Sequence, residues 1–587
     1  MNRDMWLGGI VIVAMLPSCS VATGGAESDP MDTSSTEQLV AQSESGTELA
    51  APLAVPCEQL IASLQYPNAV FTSATSVPAG QLTLAGQPIP AHCLLTGKMN
   101  ERVGPIDGQT YAIGFEMRLP LAWNNRFFYQ ANGGLDGIVA PATGDTSGGG
   151  PLTSALLQGF TVISSDAGHS ALQNPSFGLD PQARLDFGYQ AVGKLTPMAK
   201  AVILTAFGQP PTYSYIGGCS NGGRHTLVAA SRYADQYDGY LVGAPGLDLP
   251  KAAVSNIYGA QQYAPLAGGA VIAGGPFAGL PDLSAAYTQA ERQLVSNEVL
   301  ERCDALDGLV DGLIQRTVAC QFVFDLERDV PTCPGVRDGT CLSAAQKVAI
   351  KNAFAGGQTS SGSPLYARFP FDSGHASSGT AFWDFIAPLI LDSGAVGFVF
   401  GTPPVNPATF NPVQFALTSN IEQLFASIFA TNTTYTEASQ AFMVPPNRTN
   451  LNRLRARGAR MLVYHGSSDP IFSADHSRRW FMNLNQTLLF QSIARLYLVP
   501  GMNHCAGGPA TDQFDLLSPL VRWVEQGEAP LEVIASARGP ANPGGFNFEL
   551  PSSWAPDRSR PLCPYPLVAL YRGGDVERAS SFACSVF

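Results

Sequence analysis

The sequence predicts an α/β fold, a largely parallel sheet flanked by helices and interrupted by one long insertion. Three observations carry this expectation. Thr212-Tyr213-Ser214-Tyr215-Ile216 is β-branched and aromatic and reads as a strand; it runs into Gly218-Cys219-Ser220-Asn221-Gly222, and Arg224 to Arg232 then reads as a helix. Two later apolar runs, Met461-Leu462-Val463-Tyr464 and Arg495-Leu496-Tyr497-Leu498-Val499, read as strands that each end in a polar loop. Between Gly246 and Arg460 lies a stretch rich in Gly, Pro and Phe that separates the two halves of this pattern.

The chain opens with a short polar end carrying Arg3 and an apolar run, Trp6 to Leu16, too short to span a bilayer as a mature helix. Leu16-Pro17-Ser18-Cys19 has the form of a bacterial lipobox, so residues 1–19 read as a lipoprotein-type signal peptide with Cys19 as a candidate lipid anchor; Pro17 is unusual there, and ordinary signal cleavage nearby is the alternative. Residues 20–52 are rich in Ser, Thr, Gly, Ala and Glu and read as a flexible tether. These segments predict a bacterial protein that is secreted, periplasmic or anchored at the outer membrane. A net charge of -13 disfavours nucleic acid and charge-driven binding to an anionic membrane as partners.

Gly218-Cys219-Ser220-Asn221-Gly222 is a Gly-x-Ser-x-Gly elbow. A serine on that turn exposes its Oγ, and the following helix aims its N-terminus at the charge that develops during acyl transfer. The strand before Ser467-Ser468-Asp469 supplies an acid, and the strand before Met502-Asn503-His504 supplies a histidine. The chain order Ser, Asp, His is that of an α/β-hydrolase fold. Ser220 is then the nucleophile, His504 the base and Asp469 the group that orients the base. His465 also follows a strand, but it lies four residues before the acid and breaks the order; His169, near another strand end, reads as structural. Asp469 has a plainer reading as a turn residue, since Ser-Asp-Pro is turn chemistry. The first oxyanion donor by position is the Asn221 amide; the second belongs to Gln130-Ala131-Asn132-Gly133-Gly134-Leu135, where a strand meets two glycines.

The halves 53–250 and 455–587 would form the catalytic domain, and 251–454 a lid over Ser220. Within the lid, Cys303-Asp304-Ala305-Leu306-Asp307-Gly308-Leu309-Val310-Asp311-Gly312-Leu313 places three carboxylates among glycines, which suits a hard cation bound by oxygens. Self-solvated Asp-Gly turns are the plainer reading. The twelfth-position Glu of an EF-hand is absent.

Eleven cysteines include Cys19, leaving ten for an oxidising compartment: Cys57, Cys93, Cys219, Cys303, Cys320, Cys333, Cys341, Cys505, Cys563 and Cys584. Cys219 precedes the nucleophile and Cys505 follows the base, so a bond between them would tie the two catalytic loops together; two buried free thiols are the alternative.

A Cys-Ser pair and a His-Cys pair around a Ser, Asp, His order resemble the tannase and feruloyl esterase family of serine esterases, and most closely its mono(2-hydroxyethyl) terephthalate hydrolase branch. Supporting segments are Phe177 to Asp186, Gly243-Ala244-Pro245-Gly246, Val499 to Cys505 and Arg560 to Pro566, and the resemblance runs from about Cys57 to Cys584. It implies the pairs Cys57–Cys93, Cys219–Cys505, Cys303–Cys320, Cys333–Cys341 and Cys563–Cys584. It implies calcium at Asp304, Asp307 and Asp311, with carbonyls from Leu309 and Leu313, as a structural ion with no organic cofactor. It points to Gly134 as the second oxyanion donor; Ala131 and Asn132 stand where the family is richer in glycine, so Gly133 is an alternative. Phe472, just after the acid loop, is an aromatic contact for substrate.

The terephthalate monoester branch meets a free carboxylate with a lid arginine. No Arg or Lys occurs between Phe369 and Asn447, and the aligned stretch reads Ser393-Gly394-Ala395-Val396. The expected function is therefore a serine carboxylesterase for esters of neutral aromatic acids, feruloyl or galloyl in type, with the terephthalate monoester less favoured. Broader lipase or polyester hydrolase activity and a non-catalytic surface binding lipoprotein are the competing classes; an enclosing lid argues against the first and the three intact catalytic residues against the second.

Overall fold

The computed structural model describes residues 51–146, 152–484 and 492–586. The signal peptide, with Cys19, and nearly all of the tether lie outside the described residues.

Nine strands form one sheet. In chain order they are β1 (Ala69–Val77), β2 (His92–Val103), β3 (Thr110–Pro120), β4 (Arg126–Gln130), β5 (Thr161–Ser165), β6 (Tyr213–Cys219), β7 (Gly239–Gly243), β8 (Arg460–Gly466) and β9 (Ala494–Val499). Their order in space is β1-β2-β3-β5-β4-β6-β7-β8-β9. The first three strands and β5 pair antiparallel, and β5, β4, β6, β7, β8 and β9 run parallel. Strands β5, β7 and most of β6 and β8 are buried along their length, as expected of parallel strands covered on both faces. The architecture is the α/β-hydrolase fold with a large insertion between β7 and β8.

Helices α1 (Ala191–Phe207) and α2 (Asn221–Arg232) follow β5 and β6 and bury apolar faces of Leu195, Val202, Ile203, Leu227 and Val228. The long α3 (Leu249–Tyr263) leaves the sheet after β7 and enters the insertion, which carries α4 (Gln289–Cys303), α5 (Ala344–Phe354) and α6 (Ser378–Phe385). In α3, Leu249, Ala252, Ala253 and Ile257 belong to the main core, whereas Ala260 and Tyr263 belong to a second core built with Val295, Val299, Ile350 and Phe385. The expected boundary at 250/251 therefore falls inside one helix. The insertion also divides: Val396, Phe398, Phe400, Phe442 and Met443 pack into the main core rather than into the lid's own. Arg184, buried, fixes this second part, donating to the carbonyls of Phe398 (2.5 Å) and Gly401 (2.9 Å) and to Thr402 Oγ1 (3.0 Å). That is the physical content of the Phe177 to Asp186 segment.

All five expected cysteine pairs are bonded. Cys57–Cys93 joins the segment before β1 to the start of β2, and Cys219–Cys505 joins the end of β6 to the loop after β9. Cys303–Cys320 closes the Asp-rich loop at the end of α4, and Cys333–Cys341 closes a short loop ahead of α5. Cys563–Cys584 fastens the C-terminal segment. The alternative of buried free thiols at Cys219 and Cys505 is thereby set aside. No helix among the described residues is long and apolar enough to cross a membrane.

Candidate active site

Ser220 sits between β6 and α2 with φ 64° and ψ -125°, a backbone conformation that L-residues rarely adopt. The turn closes because its glycines let backbones touch. A Cβ on Gly218 or Gly222 would lie 2.2 Å from the Ala131 carbonyl oxygen. The Ser220 amide donates to Gly243 O (3.0 Å), which fixes the elbow against β7.

Asp469 and His504 emerge from the carboxyl ends of β8 and β9. His504 Nδ1 donates to Asp469 Oδ2 at 2.8 Å, and Asp469 Oδ1 accepts the amides of Ile471 and Phe472, each at 3.0 Å. Burial pushes the Asp469 pKa up, but electrostatic attraction towards His504 and the hydrogen bonds of both imidazoles prevail and hold it well below the usual carboxylate range. With Nδ1 carrying the proton, His504 Nε2 is a bare acceptor; it is buried and has no hydrogen-bond partner among the described residues. The Cys219–Cys505 bond, with Cα atoms 6.1 Å apart, holds the flanks of Ser220 and His504 together.

His465 is fully buried. Its Nδ1 meets Ser477 Oγ at 2.9 Å and its Nε2 meets Phe472 O at 2.8 Å, with Asp469 Oδ2 at 3.2 Å. Both nitrogens are occupied, so it buttresses the acid and has no free lone pair to act as base. His169 stacks on Phe177 at 3.6 Å and faces Asn174 Oδ1 at 3.0 Å; burial draws its pKa down to about 4, which keeps it neutral.

The two candidate oxyanion segments are near the elbow. A Cβ on Gly133 would lie 3.8 Å from Ser220 Cβ, and Gly134 has φ 63° with nothing within 4 Å of its Cβ position. The amides of Gly134 and Asn221 have no acceptor among the described residues. Asp136, two residues on, is not legible in the sequence as a site residue. Its Oδ2 lies 2.8 Å from Asn221 Nδ2 and 2.9 Å from His225 Nε2, and its amide donates to Gly133 O at 3.2 Å. Buried Arg224 completes the support, donating to Asn221 Oδ1 (2.6 Å), Gly188 O and Phe187 O.

Phe472 is 2% exposed and packs edge-on against His504 at 5.3 Å, so its main surface supports the base. Trp383, from α6 of the insertion, is edge-on to the same ring at 5.2 Å. Spacing in the lid gives no sign which of its aromatics does this. Gly394, aligned by resemblance with a substrate-binding arginine, packs against Pro175, where a Cβ would lie 2.8 Å from Pro175 Cγ; the neighbouring Asn174 donates to Asp136 O at 3.0 Å. The arginines flanking the cation-free stretch are committed, Arg368 to Asp475 and Arg448 to Asp248.

The expected metal loop follows α4. Asp304 accepts the amides of Asp311 (3.2 Å) and Gly312 (2.8 Å), Asp307 those of Leu309 (3.2 Å) and Gln315 (3.1 Å), and Asp311 that of Leu313 (3.1 Å) while pairing with buried Arg560. Among the described residues no three His, Cys, Asp or Glu side chains stand together as a metal-holding group. The carboxylates turn onto the loop's own amides, and a cation would require them to turn towards a shared centre.

A parallel-rich sheet with a strained serine elbow and an Asp-His pair at adjoining strand ends is the arrangement of a hydrolase of the α/β-hydrolase class, and the family found for this chain makes it a carboxylic ester hydrolase. The family model for tannase and feruloyl esterase matches residues 93–585. A mono(2-hydroxyethyl) terephthalate hydrolase from Piscinibacter sakaiensis is 38% identical over 559 residues, 89% of each chain. A probable feruloyl esterase B-1 from Neosartorya fischeri is 25% identical over 84% of this chain and 91% of its own. Among solved structures, feruloyl esterase B from Aspergillus oryzae superposes with a TM-score of 0.70 at 23% identity, covering 90% of this chain and 99% of its own. The chain belongs to the tannase and feruloyl esterase family.

Proposed function

We propose that the protein is an extracellular serine esterase that cleaves esters of aromatic acids through an acyl-enzyme. His504 Nε2 removes the proton of Ser220 Oγ as the oxygen attacks the ester carbonyl. The imidazolium so formed is stabilised by Asp469, then returns the proton to the leaving alcohol. A water repeats the sequence on the acyl-enzyme. The amides of Asn221 and Gly134 receive the oxyanion, an interaction worth a few kcal/mol in the transition state (about 3 per donor). The observation that carries this reading is the bare, buried Nε2 of His504, whose Nδ1–H is fixed by Asp469. A fluorophosphonate probe tests it: labelling should fall on Ser220 and vanish in Ser220→Ala, and labelling elsewhere overturns the assignment.

The acyl group is feruloyl or galloyl in type. Support comes from the insertion around Trp383, which brings carboxylates and no Arg or Lys between Phe369 and Asn447. The Piscinibacter relative gives a second reading, mono(2-hydroxyethyl) terephthalate. Rates on methyl ferulate, methyl gallate and that monoester separate the two. Five disulfides support an oxidising, extracellular location, with Cys19 as the proposed lipid attachment. The Asp304, Asp307 and Asp311 loop is proposed to bind Ca2+ structurally, with Leu309 and Leu313 carbonyls. Burial, with the like charge of Asp311, raises the pKa of Asp304 and pushes that of Asp307 up to about 7, and a cation to which the three carboxylates turned would relieve both costs.

A further inference from the structure

A cavity of about 30 Å3 lies between α3, the insertion and the acid loop, lined by Asn256, Tyr263, His375, Trp383, Asp384 and Pro470. It also touches Asp469, and Trp383 packs on His504, so the cavity adjoins the reacting centre. Its volume suits one or two hydroxyl-sized groups rather than a whole ring.

Its polar atoms are unusually incomplete. Tyr263 OH and His375 Nδ1 are buried and have no hydrogen-bond partner among the described residues, and Asn256 faces Asp392. Tyr263 and His375 are only 2% and 3% exposed. His375 Nε2 lies 3.1 Å from the Pro370 carbonyl, which can only accept, so the ring proton resides on Nε2 and Nδ1 presents a lone pair. Burial draws the His375 pKa down to about 4, which keeps that lone pair free at neutral pH. Half-buried Asp384 adds a carboxyl to the same wall. Behind it Asp392, facing Asn256, leaves Oδ2 unpaired. Burial pushes both carboxyls up to about 7. The nearby cation, Arg292, donates to Tyr287 O and Gln289 Oε1, leaves its Nε without a partner among the described residues and favours the charged form of Asp384. The cavity therefore leaves an unpartnered acceptor, His375 Nδ1, and a hydroxyl able to act either way, Tyr263 OH, beside the Asp384 carboxyl, and such a mixed set calls for a ligand whose hydroxyls both donate and accept.

We propose that this cavity receives the ring hydroxyls of a phenolic acyl group, with Asp384 and His375 Nδ1 accepting their protons and Tyr263 completing the set, while the ring itself lies towards Trp383. The proposal rests on the serine esterase reading and names its acyl subsite. An ester whose ring ends in a carboxylate would meet acidic Asp384 there.

The test compares methyl 3,4-dihydroxycinnamate with methyl 3,4-dimethoxycinnamate, equal in reacting ester but without hydroxyl donors in the second. Wild type, Asp384→Asn and Tyr263→Phe are assayed, each first titrated with a fluorophosphonate at Ser220. The expected result is a loss of about tenfold in kcat/KM on the dihydroxy ester in each variant, with the dimethoxy ester within about twofold of wild type. Equal losses on both esters would mark a water-filled structural pocket, and no loss on either would show that the hydroxyls bind elsewhere; both overturn the proposal. Loss of fluorophosphonate labelling in wild type would instead strike the esterase reading itself.

Discussion

The carboxylate of Asp136 accepts a hydrogen bond from the side-chain amide of Asn221 at 2.8 Å. These residues lie in the two segments that would share the oxyanion, and the same carboxylate oxygen also meets His225 Nε2 at 2.9 Å. Arg224 holds the other end of the Asn221 amide. The residue that follows the nucleophile is thus clamped on both sides by buried groups, so its main-chain N–H cannot swing when charge develops on the substrate.

Removing that clamp should cost turnover more than binding. Asp136→Ala is expected to lower kcat by about ten- to a hundredfold with KM nearly unchanged, and Asp136→Asn, which keeps an acceptor oxygen, to recover most of it. Steady-state kinetics on one ester with both variants decides this. A fall in melting temperature with wild-type kcat would leave Asp136 a purely structural residue.

The triad should behave as a unit. Ser220→Ala, His504→Ala and Asp469→Ala are each expected to remove most activity while the chain folds, and the double variant Ser220→Ala/His504→Ala to be little worse than either single one. Circular dichroism alongside initial rates checks both halves. Appreciable turnover by Ser220→Ala would refute the nucleophile.

Replacing both Cys219 and Cys505 by Ser should lower stability by about 5 kcal/mol on the chain-entropy account, because the bond closes a sequence separation of 286 residues. Activity should fall further than stability, since the bond also sets the spacing of nucleophile and base. Denaturant unfolding of the double variant, with rates measured well below its midpoint, separates the two effects.

Calcium should raise the melting temperature and chelation should lower it, with rates on a still-folded sample unchanged. Scanning calorimetry with added Ca2+ or chelator reads this directly. Asp307→Asn should abolish the calcium response, and an unchanged response in that variant would place any ion elsewhere.

Stability should also depend on pH through Asp166. Burial pushes its pKa up to about 7, against the amides of Gly114 and Gly168 that favour the charged form. The folded state then keeps a proton that the unfolded chain loses near pH ~4. This contribution is fully present below the unfolded pKa and is lost as pH rises from about 4 to about 7. Asp166→Asn should flatten the decline, and melting temperatures across that window should show it.

The parts of the site that the sequence makes legible are those with local grammar. Gly218 and Gly222 mark a turn because their spacing is set by the Ala131 carbonyl beside them, and Asp469 and His504 follow strands whose apolar runs are unambiguous. Phe472 and the cysteine neighbours of the triad are legible for the same reason. The partners of Cys93, Cys320, Cys333, Cys341 and Cys563 are legible only through family resemblance, since ten cysteines in one chain leave their pairing open until the backbone brings each Cα within bonding reach of another. Asp136 is not legible, because its meaning lies in contacts with residues far along the chain, and an acid after two glycines reads as an ordinary turn. Nor is the partition of the insertion: Phe398 and Phe385 are both aromatic and buried, yet one joins the hydrolase core and the other the lid's own.

Strands β7 and β8 pair in parallel register, Val242 opposite Val463, so the chain leaves the sheet at its carboxyl edge after Gly243 and must return to the amino edge, where Arg460 lies opposite Gly239. For the hydrolase half, everything between those points is therefore a detour with a fixed entrance and exit. The elbow, the acid and the base stand outside it. Selection can rewrite the part of the detour that carries its own core around Val295 and Ile350 while the reacting atoms keep their positions; a laboratory exchange should likewise spare the first half of α3 and the residues from Val396 onward that pack into the main core.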